Sequence, residues 1–183
     1  IQEILLSLKD NYNTSQIEEI TLEANPEDLS LDYLKGLKDI GINRLSIGIQ
    51  SFDDKELRLL NRSHTSQQAR TSIENAKSVG VNNISIDLIY NLPFSTIDSY
   101  KNNLNIFLSY SLPHISCYSL TREENTMLDK LIKQNKLSIP NEEEQLKQMD
   151  CTIKTLEENN YIHYETSSYC KQGFYSRHNA AYW

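Results

Sequence analysis

One nine-residue pattern occurs twice in this chain and restricts what the chain can fold into. Asp39-Ile40-Gly41-Ile42-Asn43-Arg44-Leu45-Ser46-Ile47 lines up with Ser78-Val79-Gly80-Val81-Asn82-Asn83-Ile84-Ser85-Ile86. In each copy a helix stops at a glycine, the residue that most readily takes the left-handed conformation a helix end uses. A short link follows, then an apolar strand. A third run, His114 to Thr121, starts after Pro113, so Ser46, Ser85 and Ser116 are expected at one level of three strands. Buried strands alternating with helices are βα units, and βα units build a parallel sheet. Right-handed crossovers then bring the C-terminal ends of all the strands to one face.

The remaining segments fit that scheme. Ile4, Leu5 and Leu8 make the first ten residues an amphipathic helix. Ile20 to Leu22 reads as a strand ending in Glu23 and stopped by Asn25-Pro26. Ser30 caps a helix with Leu31, Leu34, Leu37 and Ile40 on one face. The strand Leu45 to Ile49 ends in Gln50, with Gly48 leaving room for close approach. Asp53 and Glu56 read as a capping pair for the next short helix, and Thr65 with Gln68 as another. Beyond residue 121 the pattern changes. Thr126 and Asp129 open a short helix. Glu142 to Glu144 start a longer one with Leu146, Met149, Ile153 and Leu156 as its buried face, and Tyr161 to Tyr169 reads as a strand. The expected division is therefore 1–121, a βα core, and 122–183, a helix-plus-strand extension.

Composition narrows the function classes. A net charge of −7 with no basic cluster argues against nucleic acid as a partner. No apolar run approaches the roughly 18 residues of a membrane span. Cys117, Cys151 and Cys170 match no zinc or cluster spacing, and three sparse cysteines suit a reducing, cytoplasmic setting. The histidines show no metal spacing, and neither a phosphate-cradling glycine loop nor a nucleophile elbow is present. What remains is a set of polar residues at strand tips: Glu23, Gln50 and Asp87, with Arg62 close behind. Acid and amide groups there suit the hydroxyls and amine of a nucleoside or amino acid, and an arginine can hold a carboxylate through two parallel hydrogen bonds. Taken alone, the same residues also fit helix caps and satisfied surface groups.

Several motifs in order go further. Glu23-Ala24-Asn25-Pro26, Arg44 to Phe52, Leu60 to Thr65, Ile84 to Tyr90, Leu92-Pro93, His114 to Thr121 and Arg177-His178-Asn179 cover nearly the whole chain. Together they resemble the radical S-adenosylmethionine proteins of the oxygen-independent coproporphyrinogen III oxidase and heme chaperone group. That resemblance implies an α/β fold, a partial (β/α) barrel truncated at its N-terminus, which in the full-length protein binds S-adenosylmethionine and a [4Fe–4S] cluster. It assigns Glu23, Gln50, Arg62 and Asp87 to the cofactor. Arg62 would take the methionine carboxylate, Gln50 and Asp87 the ribose hydroxyls, and the Thr121 backbone a further contact. The family's C-x3-C-x2-C cluster motif is absent and is expected before Ile1, so this chain alone is expected neither to hold the cluster nor to cleave the cofactor. Asn91 stands where the family usually has glycine.

His178-Asn179-Ala180-Ala181-Tyr182-Trp183 resembles the H-N-x-x-Y-W segment of the heme chaperone branch. The resemblance makes His178, Asn179, Tyr182 and Trp183 candidate heme or porphyrin contacts, with His178 as an axial ligand for the iron. The partners implied are heme or porphyrin and heme-accepting proteins. The sequence does not identify an electron donor. A coproporphyrinogen III oxidase proper and a cofactor-free (β/α) binding domain are the alternatives.

Overall fold

The computed structural model describes residues 1–180, so Tyr182 and Trp183 lie outside the described residues. Helix α1 (Gln2–Asn11) precedes strand β1 (Thr21–Ala24), a 3-10 turn (Pro26–Asp28) and α2 (Leu31–Asp39). Then come β2 (Arg44–Gln50), α3 (Asp54–Leu59), α4 (Ser66–Ser78), β3 (Ile84–Tyr90), α5 (Ile97–Ser109) and β4 (His114–Ser119). The final third holds α6 (Met127–Lys133), α7 (Glu142–Glu158), the hairpin β5 (Ile162–Glu165) and β6 (Ser168–Cys170), and α8 (Arg177–Ala180).

Among the described residues, six strands form one open sheet in the order β1-β2-β3-β4-β6-β5. The first four are parallel, as βα alternation requires, and β6 adds antiparallel to β4. This is an α/β fold, with the strand C-termini on one face. Strand side chains alternate, and the alternation divides the sheet into two chemistries. Leu45, Ile47, Ile49, Ile84, Ile86, Leu88 and Ile115 are fully buried and form the core with Leu34, Ile73, Leu104 and Phe107 of the helices. Glu23, Arg44, Ser46, Gly48, Gln50, Ser85, Asp87, His114 and Ser116 occupy the alternate positions and make the opposite face polar.

Some local expectations hold in detail. Ser30 accepts from the Tyr33 N–H, and Thr65 and Gln68 form a reciprocal capping box. Others change once the strands are paired. Ser46 does sit beside Ser85, but Ser85 pairs with His114, and Ser116 lies one pleat further on, beside Asp87. Asp53 caps α3 through the Lys55 N–H, while Glu56 turns inward and accepts from Ser51 Oγ and from Asn103 Nδ2 at 3.1 Å. The buried face of α7 is Gln148, Thr152 and Leu156, with Leu146 and Met149 exposed. Gln148 turns in because its Oε1 accepts the Asn91 N–H at 2.9 Å, and Thr152 because its hydroxyl donates to Tyr100 Oη at 2.9 Å. The stretch 161–169 is a hairpin, with its turn between Glu165 and Ser168, and not one strand. Helix α1 forms, but only Leu5 packs against the core, and Ile4 and Leu8 stay exposed.

Candidate functional site

A polar cleft of about 370 Å³ opens at the C-terminal ends of the parallel strands, lined in part by Glu23, Asn25, Gly48, Gln50, Arg62 and Asp87. Four of the five residues assigned to the cofactor by resemblance therefore meet in one place. Thr121 is not among the lining residues; it is exposed two residues past the end of β4, with its hydroxyl 3.5 Å from the Ser119 carbonyl. Asn25 is the residue the strand-tip reading missed. Its position directly after β1, before the proline that ends the strand and opens the 3-10 turn, was the available signal.

The backbone aims these side chains. Gln50 ends β2 with φ 66°, where the β2–β3 register slips between Ile47 and Gln50. A left-handed non-glycine residue at a strand tip stores strain, of the kind found at functional sites. Asn91, directly after β3, has φ 63°, so asparagine supplies here the conformation that glycine usually would. Arg62 arrives from the loop after α3. That loop is pinned by Ser63 donating to Glu27 and by His64, whose Nε2 lies 3.0 Å from the Ile49 carbonyl and whose Nδ1 lies 3.2 Å from Glu27 Oε2. The guanidinium bridges β1 and β2: Nη2 donates to Asn25 Oδ1 at 2.7 Å and to the Gly48 carbonyl at 3.1 Å. A Cβ on residue 48 would stand 3.0 Å from Gln50 Nε2 and 3.3 Å from Arg62 Nη2, so only glycine leaves both groups their places.

The charges are set by burial. Desolvation, reinforced by the Glu23 carboxylate, pushes Asp87 up from 3.8 to about 6, against the Ser116 hydroxyl and the guanidinium groups of Arg44 and Arg62. At neutral pH Asp87 is thus an ionised acceptor held close to its titration point. Beneath it Arg44 is buried, with no hydrogen-bond partner for Nε among the described residues, and burial draws its guanidinium below the ordinary value. His114 bonds Ser85 through Nδ1 and Tyr164 through Nε2, each at 2.7 Å, and burial followed by Arg44 brings it down to about 3. It is a neutral structural histidine.

The C-terminal segment approaches Glu23, one of the residues lining this cleft. Glu19 accepts the N–H groups of Arg177 and His178 at 3.1 and 3.0 Å, and Arg177 pairs with Glu18. Asn179 donates to Ser168 Oγ at 3.1 Å, and His178 Nε2 lies 3.9 Å from Glu23 Oε1. The two candidate groups, strand tips and terminal histidine, are neighbours.

The cleft suits S-adenosylmethionine: carboxylates for an amine and for ribose hydroxyls, an amide, a guanidinium, and a glycine where a side chain would block them. Cys117 and Cys170 do not suit a [4Fe–4S] cluster. Cys117 is pushed up to about 12 and Cys170 to about 11, both mainly by burial. Among the described residues no group of His, Cys, Asp and Glu side chains is placed to hold a metal ion, and no helix is long and apolar enough to cross a membrane.

Comparison with known proteins identifies the family. The Radical SAM superfamily matches residues 1–105. The heme chaperone HemW of Lactococcus lactis is 37% identical over 183 residues, covering 100% of this chain and 48% of the relative. The HemW of Bacillus subtilis is 36% identical, covering 100% and 49%. The chain thus spans about half the length of these curated relatives. Among solved structures, the coproporphyrinogen III oxidase HemN of Escherichia coli, described as a radical SAM enzyme, superposes with a TM-score of 0.79 at 25% identity, covering 93% of this chain and 39% of that one. The family match over more than half of the chain and the convergence of the strand-tip residues lead to one conclusion: this chain belongs to the radical SAM superfamily.

Proposed function

We propose that this chain is the S-adenosylmethionine-binding part of a heme chaperone that carries heme to acceptor proteins. The observation that carries the reading is the convergence of Glu23, Gln50, Arg62 and Asp87 on one cleft at the strand C-termini. In it, Glu23 takes the methionine amine and Arg62 its carboxylate. Asp87 and Gln50 take the ribose hydroxyls. S-adenosylmethionine beside a [4Fe–4S] cluster is a source of radical chemistry in this family. The residues here bind and orient the cofactor, and no cysteine of this chain is given a role in holding the cluster. His178, held beside Glu23, is the candidate axial ligand for heme iron. Asn179, Tyr182 and Trp183 complete the heme-contacting segment. The identity to two HemW proteins favours the chaperone over the oxidase. The superposition on HemN supports oxidative decarboxylation of a porphyrinogen propionate as the second reading.

The test uses the full-length, cluster-loaded protein, incubated separately with heme and with coproporphyrinogen III. Stable heme binding without decarboxylation is expected; decarboxylation would refute the chaperone reading. In the same protein, Arg62→Ala is expected to weaken S-adenosylmethionine binding by about 1.5–3 kcal/mol, the worth of a hydrogen bond to a charged group. Unchanged affinity by calorimetry would remove Arg62 from the site.

A further inference from the structure

The hydrogen bonds of Arg62 leave an unexpected residue in control of its ligand. A guanidinium holds a carboxylate with two parallel bonds through one of two edges, Nε with Nη2 or Nη1 with Nη2. Both edges include Nη2. Here Nη2 has two hydrogens and two acceptors, Asn25 Oδ1 at 2.7 Å and the Gly48 carbonyl at 3.1 Å. The Gly48 carbonyl belongs to the β2 backbone and stays where it is. The Asn25 side chain is exposed at the cleft, on a backbone held extended (φ −89°, ψ 149°) by the following Pro26. It can swing while its backbone does not. Its amide oxygen therefore occupies a place that an incoming carboxylate oxygen would take.

We propose that Asn25 is the positioning and specificity-determining residue for Arg62: its neutral amide orients the guanidinium in the free protein and gives way to the ligand carboxylate on binding. The proposal rests on the reading of the cleft as an S-adenosylmethionine site. The exchange is favourable in one direction only. A carboxylate is a stronger partner for a guanidinium than an amide is, so the ligand displaces Asn25. An aspartate at position 25 would be an equal competitor and would not yield. The neutrality of residue 25 is thus what lets Arg62 select ligands that carry a carboxylate.

The experiment compares S-adenosylmethionine with decarboxylated S-adenosylmethionine, which lacks only that group. Binding is measured by calorimetry on the full-length, cluster-loaded protein and its Asn25→Asp and Asn25→Ala variants. Wild type is expected to prefer the carboxylate-bearing ligand. Asn25→Asp should reduce that preference at least tenfold, by loss of affinity for S-adenosylmethionine alone. Asn25→Ala, which leaves Nη2 open, should keep the preference. A parallel loss of both ligands in Asn25→Asp would show a merely structural role and overturn the proposal, as would an unchanged preference. If wild type binds neither ligand, the S-adenosylmethionine reading itself fails, and the proposal fails with it.

Discussion

Replacing Asp87 with asparagine is expected to stabilise the fold at pH 8 while weakening the site. Burial, followed by the Glu23 carboxylate, displaces Asp87 from 3.8 to about 6 in the folded chain. The folded state then binds more protons than the unfolded state between those values, so stability falls as pH rises through that window and stays lower above it. At about 1.4 kcal/mol per tenfold, the displacement corresponds to about 3 kcal/mol. Glu23 is largely exposed, with 77% of its side chain accessible, so solvent screens its share and leaves about 1–2 kcal/mol. Asparagine keeps the shape and a hydrogen-bonding oxygen and removes the charge. For a chain of this size each kcal/mol moves the melting temperature by about 2–4 °C. Thermal unfolding followed by circular dichroism should therefore show Asp87→Asn melting a few degrees above wild type at pH 8, with a smaller gap at pH 5. Affinity for S-adenosylmethionine should fall about tenfold, or about 1.4 kcal/mol. A variant less stable than wild type at pH 8, or a gap that ignores pH, would refute the electrostatic account of this carboxylate.

Two further perturbations separate site from scaffold. Gly48→Ala places a methyl 3.0 Å from Gln50 Nε2 and 3.3 Å from Arg62 Nη2, both ends of flexible side chains. The fold should lose about 1 kcal/mol, the low end for an added methyl because both neighbours can shift, whereas calorimetric affinity for S-adenosylmethionine should drop at least tenfold; equal affinity would show that the close approach does not matter. Desolvation raises Glu19, but the N–H groups of Arg177 and His178 and the Thr21 hydroxyl outweigh it and hold Glu19 below 4.5. The stability this gives to the C-terminal segment is present above that ordinary value and lost as pH falls through the lowered one. Amide hydrogen exchange at residues 177 and 178 should accordingly speed up in Glu19→Ala at neutral pH, and exchange rates equal to wild type would rule out the cap.

The polar network around Glu56 and the register of β4 explain why some expectations failed. Ser30, Thr65 and Gln68 were legible because a cap is settled within four residues of chain. Glu56 sits at the capping-box position too, yet Asn103, 47 residues away, and Ser51 draw it inward. Leu146 and Met149 follow helical spacing as well as any core residue does, but α7 meets the Asn91 backbone and Tyr100 hydroxyl, groups that need polar partners. Local pattern carries no information about what an element will be packed against.

The sequence by itself determined the βα alternation, the parallel sheet, the polar residues at the strand tips and, through its ordered motifs, the family. These depend on periodicity and on short-range stops, both written along the chain. Tertiary structure alone decided that Asn25 joins the strand-tip residues in one cleft, that it takes one of the two hydrogens of Arg62 Nη2, and that the His178 segment lies against Glu23. Each of those contacts joins residues far apart in sequence, so each exists only when the sheet register fixes a distance that no single segment contains.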